Sequence, residues 1–295
     1  MPETAEQYIA RIIANVGTED PMQVLATTPA RIGALIAGRA DDDLRWTPAA
    51  DRWSIAAIVT HLADAELVAG YRLRMILANP GTPIQSFDQN QWASAFNYSG
   101  QDAFPSLTTF NAVRTSTLRL LDGLDETKLE HYGMHAERGK ETVRHLIRLY
   151  AGHDLNHLRQ IERLLETVDA EGTGRASRFQ PAAVKPTTGV DAVGQLDVRV
   201  GTVVKVDDVP GATRLARLTV DFGDRQRTIV AGIRKERSEP QLVQGQQALF
   251  VVNIPPRTIH GQQSEGMLFD IGYADGVRPA LAQPEWPVPN GTRAG

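Results

Sequence analysis

The period of the apolar residues changes once along this chain, and that change limits what it can fold into. As far as residue 168 they recur every three or four positions, the spacing of one helix face. From Val198 onward they alternate or run continuously in short blocks, the spacing of strands. Between the two, Asp169–Val190 carries Gly172, Gly174, Ser177, Pro181, Pro186, Thr187, Thr188 and Gly189 with almost no apolar period, which reads as a linker. A length of 295 residues also exceeds the roughly 100–200 of one domain. The chain therefore reads as a helical domain over 1–168, a linker over 169–190 and a β domain over 191–295.

In the first domain the spacing predicts a short helix near Glu3–Val16 and longer ones near Pro21–Ala37, Ile55–Leu77, Pro105–Leu121 and Val143–Val168. Ser54 and Thr142 stand where a hydroxyl can accept from an orphan backbone N–H, so both are candidate N-caps. Asn79–Gly100, rich in Pro, Gly, Asn and Gln, reads as a long crossover. Four long helices with one extended connection describe an antiparallel, up-down bundle.

Two histidines, His153 and His157, lie along the core stripe of the last helix, one turn apart. His61 flanks the apolar stripe of another helix. Three neutral imidazoles from two facing helices would leave an open coordination position, as catalytic metal sites do. Spacing alone leaves the pair equally readable as ligands or as core or surface histidines, since seven histidines give such pairs by chance. His131 and His135 form a second such pair about Gly133, in what reads as a loop, and this one reads as coincidence. Asp64, Glu66 and Asp154 are candidates to orient the imidazoles, against the ordinary reading of solvated carboxylates. Trp46 and Trp53 read as core rather than as a substrate platform.

RWSIAAIVTHLADAE at Arg52–Glu66 and GHDLNHLRQIERLL at Gly152–Leu165 resemble the two histidine motifs of the DinB/YfiT-like four-helix bundles. In that pattern a Trp precedes a helix bearing His-Leu-x-x-x-Glu, and the last helix bears His-x-x-x-His followed by Gln-Ile. Trp53, His61, Glu66, His153, His157, Gln160 and Ile161 fit it. The resemblance implies metal ligation by His61, His153 and His157. It also implies a divalent transition metal such as Zn, Ni or Fe and, in several members, a low-molecular-weight thiol as cofactor. A metal at such a site can lower the pKa of a bound thiol and present a thiolate to an electrophile.

In the second domain Val198–Val206, Leu215–Phe222, Arg227–Ile233, Ala248–Asn253 and Met267–Ile271 read as five strands, enough for a five-stranded OB-fold barrel. DVRVG at Asp197–Gly201, RTIVAGI at Arg227–Ile233 and VVNIPPRTIHGQQSEGM at Val251–Met267 resemble, in order, the tRNA-binding OB-fold domain. Its members include CsaA-type proteins and the C-terminal appendage of bacterial methionyl-tRNA synthetases. The resemblance implies tRNA as partner and RNA contact by Asn253, Arg257, Ser264 and Glu265. Lys205 and Arg199 are further candidates, with Arg214 or Arg217 behind them, since a guanidinium can hold phosphate oxygens bidentately. It also implies a homodimer built through the terminal extension. Phe222, Phe250, Phe269, Tyr273 and Trp286 read mostly as core positions, which predicts backbone-led rather than stacked RNA binding.

Charge adds little, since the net charge is −4, with 16 basic against 22 acidic residues through residue 170 and 15 against 13 beyond it. A slight positive excess falls on the OB-like part, where Arg175, Arg178 and Lys185 of the linker could also meet phosphate. The absence of cysteine excludes disulfides, thiolate ligands and a cysteine nucleophile. No signal pattern and no run of roughly 20 apolar residues is present, so a cytoplasmic protein without membrane contact is expected. Two functions follow. One is a tRNA-binding protein carrying a metal-dependent S-transferase or hydrolase. The other is a non-catalytic, chaperone-like tRNA-binding factor whose bundle is structural.

Overall fold

A computed structural model describes residues 3–49, 51–171, 181–237 and 239–295, with Lys235 described by its backbone alone. It divides into two compact units, Met1–Ala176 and Ser177–Gly295. The linker positions Gly172, Gly174, Arg175, Ser177 and Arg178 lie outside the described residues. No helix among the described residues is long and apolar enough to cross a membrane.

The first unit is helical, with α1 Ala5–Ala14, α2 Pro21–Ile36, α3 Asp41–Arg45, α4 Ile55–Ala78, α5 Gln89–Ala95, α6 Ala103–Leu121, α7 Glu126–Leu129 and α8 Val143–Ala170. Ser54 caps α4 by accepting from the Ala57 N–H, and Thr142 caps α8 by accepting from the His145 N–H. Asp20 caps α2, with Pro21 in the first turn, where its missing N–H costs nothing. α4 packs between α6 and α8, and α2 packs between the same two helices, so α2 and α4 occupy a diagonal of the bundle. α4 is accordingly apolar and buried around most of its circumference, from Ile55 to Ile76.

One buried cation ties the four long helices together. Arg114 of α6, 2% exposed, reaches Glu66 of α4 at 2.7 Å and Asp154 of α8 at 2.7 Å. Its Nη1 also donates to the Leu25 carbonyl of α2 at 2.7 Å. Burial pushes the Glu66 carboxyl up, against the pull of Arg114. Arg114 is thus held from three helices, and removal of this centre would leave two carboxylates buried together.

Two parts of this unit differ from the sequence expectation. The crossover Asn79–Gly100 contains β1 Pro83–Ile84 and α5. The loop expected around Gly133 is instead β2 Tyr132–His135, paired parallel with β1 and antiparallel with β3 Gly139–Thr142. Four residues are too few to display a period of two. Gly133 is required because a Cβ there would stand 2.6 Å from the Ile84 side chain of β1.

The second unit begins with one helical turn, α9 Asp191–Gly194, and is built on β4 Val198–Asp208. β5 Ala216–Asp221 and β7 Gln247–Val251 flank β4, while β6 Gln226–Ala231 and β10 Met267–Leu268 lie outside them, in the antiparallel order β10-β7-β4-β5-β6. A register shift between Val203 and Lys205 bends β4, as a bulge does. Val203, Leu218, Val220, Ile229 and Phe250 fill the concave side. The result is a curled, OB-like half-barrel.

The strand expected over Met267–Ile271 is two strands, because after β10 the chain turns away and β11 Asp270–Ile271 pairs with β12 Ala280–Leu281. A hairpin unforeseen from sequence, β8 Arg257–Ile259 with β9 Gln262–Ser264, turns at His260 and Gly261, both at positive φ. A short strand, β13 Arg293–Ala294, pairs with the start of β4.

Replacing Arg114 with Met should destabilise the protein by about 3–5 kcal/mol, the usual consequence of orphaning buried ionic partners. Chemical denaturation of the Arg114→Met variant measures it, and a loss below about 1 kcal/mol, the scale of an exposed pair, would mean the cluster is solvated.

Candidate functional site

α4 carries His61 and α8 carries His153 and His157, and the packing of these two helices brings the three rings together. Nε2 of His153 lies 3.1 Å from Nε2 of His61 and 3.2 Å from Nε2 of His157. One ligand atom from each ring lies within 4.8 Å of the other two. Nitrogens bound tetrahedrally to one zinc-sized ion at roughly 2.0–2.1 Å sit roughly 3.3–3.4 Å apart, so two of the three spacings are nearly those of a ligand set.

The electrostatics agree with that arrangement. Burial pushes His153 down to about 4, aided by the Arg114 charge, and His157 down to about 3, aided by His153. Burial also holds His61 well below the usual imidazole range, aided by the other two rings. All three are neutral at pH 7, with lone pairs available. His157 Nδ1 meets Gln160 Oε1 at 3.0 Å; as the donor there, Nδ1–H leaves the Nε2 lone pair facing the centre. His61 Nδ1 is buried without a partner.

Trp53 closes one side, its ring centroid 4.9 Å from that of His61 and stacked on His157 at 6.5 Å. It packs against the core, as expected, and also forms a wall of the histidine site, which its sequence position did not indicate. Trp46 packs on the core alone. Beside the rings lies a cavity of about 250 Å³ reached by His61 and His153 and lined by Tyr8 and Ile12 of α1, Arg72 and Phe87.

The carboxylates expected near the imidazoles do something else. Asp64 accepts from the Tyr98 hydroxyl at 2.6 Å, and Glu66 and Asp154 hold Arg114. Among the described residues none of the three hydrogen-bonds a ring of the histidine cluster, and the one side-chain partner outside it is Gln160, on His157. His131 and His135 stay outside the cluster, and His135 Nδ1 accepts from the Glu137 N–H.

In the second unit the residues singled out for RNA contact divide into two groups. Asn253 accepts from the Asp197 N–H and donates to the Gln195 carbonyl, pinning the start of β4. Ser264, 3% exposed, accepts from the Val230 N–H and donates to the Gly266 carbonyl. The Glu265 carboxylate accepts from the Thr228 N–H. These three seam the curled sheet, and Gly266 permits it, since a Cβ there would stand 2.8 Å from the Val251 carbonyl oxygen. Arg199 pairs with Asp197, while Lys205 and Arg217 share Asp207. Arg257 and Arg214 are exposed and make no ion pair among the described residues. The aromatic expectation needs correction: Phe222 and Phe250 are core, but Phe269, Tyr273 and Trp286 are 41%, 68% and 63% exposed. Strand periodicity hid them because Phe269 falls between two short strands and the other two lie in the irregular extension.

Comparison with known proteins agrees with this division. Residues 25–161 match the family model of the DinB superfamily, and residues 198–293 match that of the tRNA binding domain. Methionine–tRNA ligase of Porphyromonas gingivalis is 38% identical over 117 residues, which make up 40% of this chain and 17% of the ligase. This chain therefore spans about a sixth of that relative's length. A MetRS related protein from Pyrococcus horikoshii is 32% identical, over 38% of this chain and 100% of that chain, with a TM-score of 0.35. YfiT from Bacillus subtilis, a protein of unusual four-helix bundle topology, is 21% identical, over 50% of this chain and 86% of that chain, with a TM-score of 0.48.

Gln160→Leu should weaken metal binding by about 10- to 100-fold, the usual effect of losing an outer partner of a ligand imidazole. Competition against a chromogenic chelator measures it, and an unchanged affinity would mean that Gln160 does not orient His157.

Proposed function

We propose that this chain, in which a DinB superfamily domain precedes a tRNA binding domain, is a tRNA-binding protein that holds a divalent metal at His61, His153 and His157. We further propose that it uses the metal in a transferase or hydrolase reaction. The observation that carries the metal reading is the convergence of three neutral imidazole nitrogens beside a cavity. Imidazole donors suit Zn, Ni and Fe alike. At an open three-imidazole site such an ion supplies a lowered pKa to a bound water or thiol. The chain's own residues do the remaining work. Burial keeps the rings neutral, Gln160 selects the tautomer of His157, Trp53 packs against two of the rings, and the cavity leaves His61 and His153 accessible to a small molecule.

For the second unit, Arg257 is the leading contact to RNA phosphate, because its guanidinium is exposed and pairs with no carboxylate among the described residues. Arg214 is its nearest equivalent. Arg199 and Lys205 are already neutralised by aspartates and would contribute less. Asn253, Ser264 and Glu265 support the surface by holding the seam. The exposed Phe269, Tyr273 and Trp286 offer faces on which unpaired bases can stack. A homodimer through the terminal extension belongs to the same reading.

Elemental analysis of the full chain should find about one divalent ion per protein, as expected for one three-imidazole site. The His153→Ala/His157→Ala variant should lose it. A metal-free wild type after reconstitution would remove the enzymatic half and leave a binding protein. Arg257→Ala should weaken tRNA binding and reduce the steepness of its salt dependence by about one counterion, measured by fluorescence anisotropy across a salt series. Binding indifferent to both salt and this variant would sink the phosphate-led reading.

A further inference from the structure

The cavity beside the histidines contains more than an opening to a metal. Arg72 lies on the same face of α4 as His61, three turns further on, about 16 Å along the axis. It is 6% exposed. Its Nη2 donates to the Gln85 carbonyl, a neutral acceptor, and its guanidinium stands over the Phe87 ring. Its Nε is buried with no hydrogen-bond partner, and no carboxylate pairs with it among the described residues. Arg138, on the same cavity, is by contrast held bidentately by Glu141. Tyr150, one turn before His153 on α8, places a buried hydroxyl beside Arg72 that finds no hydrogen bond of good geometry.

A buried guanidinium without a paired carboxylate is costly, and a buried hydroxyl whose nearest polar neighbour is that same cation is poorly satisfied. Here both border one cavity, and both are donors. An oxyanion would satisfy them together, since charge-assisted hydrogen bonds from a guanidinium and a phenol are strong and directional. The span between Arg72 and His61 leaves room for several further atoms.

We propose that this cavity binds a small molecule bearing an oxyanion, a carboxylate or a phosphate monoester, held by Arg72 Nε and the Tyr150 hydroxyl, with its remainder directed toward His61 and His153. This deepens the reading of the histidine site by assigning its ligand a negative charge. The anion contacts themselves belong to the protein alone.

Isothermal titration calorimetry of the chelator-treated full chain tests this with succinate, its neutral diamide and inorganic phosphate. At least one anion should bind the wild type about tenfold or more tighter than the diamide, the scale of charge-assisted hydrogen bonds. Succinate preference assigns a carboxylate; binding of phosphate alone assigns a phosphate monoester. Arg72→Gln should abolish the preference. Tyr150→Phe, which removes one hydroxyl and keeps the ring, should weaken it several-fold and gives the answer if Arg72→Gln does not fold. Equal binding of diamide and anions, no binding of any probe, or a preference that survives in both variants overturns the proposal. Because the protein is metal-free, failure of the histidines to hold an ion leaves this result interpretable, and loss of anion binding leaves metal retention untouched.

Discussion

The bundle depends on a single guanidinium. Arg114 connects α6 to a carboxylate on α4, a carboxylate on α8 and a carbonyl on α2. A buried cation between two acids adds little net stability over an apolar replacement of the same shape, but it discriminates strongly against misregistered packing, because any slip would strand a charge. That discrimination matters for chemistry. Glu66 lies five residues after His61 on α4, and Asp154 directly follows His153 on α8. The interaction that sets the relative height of α4 and α8 therefore also sets whether their histidines meet.

The same economy applies to charge in the second unit. Its basic residues are numerous in the sequence, but the folded domain neutralises several internally. Arg199 is held by Asp197, and Asp207 serves both Lys205 and Arg217. A guanidinium already bound to a carboxylate must break or share that bond to meet a phosphate. Local charge balance, more than the composition of the domain, decides which cations remain available, and Arg257 at the base of the β8–β9 hairpin is one of them.

Much of this was legible in the sequence. The long helices, their caps at Ser54 and Thr142, and the curled sheet follow from period and from residue types that act within a few positions. Spacing alone left His153 and His157 open between ligand, core and surface readings, and it was the fit of both histidine motifs to one pattern that singled them out together with His61. Arg114 was not, since an arginine in a helix looks the same whether it faces solvent or three neighbouring helices; its partners lie 40, 48 and 89 residues away. Gln160 could be matched to a motif, but its contact with His157 appears only once the rotamers are set. The β8–β9 hairpin and the strand containing Gly133 were hidden by their length, and Ser264 and Glu265 by a polarity that serves the seam of the sheet.

The wall of the cavity beside the histidines includes α1, which contributes Tyr8 and Ile12. This helix lies along α8, where Asn15 at its C-terminal end bonds the Gly152 carbonyl and accepts from Arg159. Among the described residues it shares no hydrogen bond with the Arg114 cluster. The frame that aligns the histidines and the surface that a ligand meets are thus carried partly by different segments. Variation along this one ten-residue helix would resculpt what fits beside the imidazoles, within the limit set by Ile12, whose carbonyl lies against Gly152.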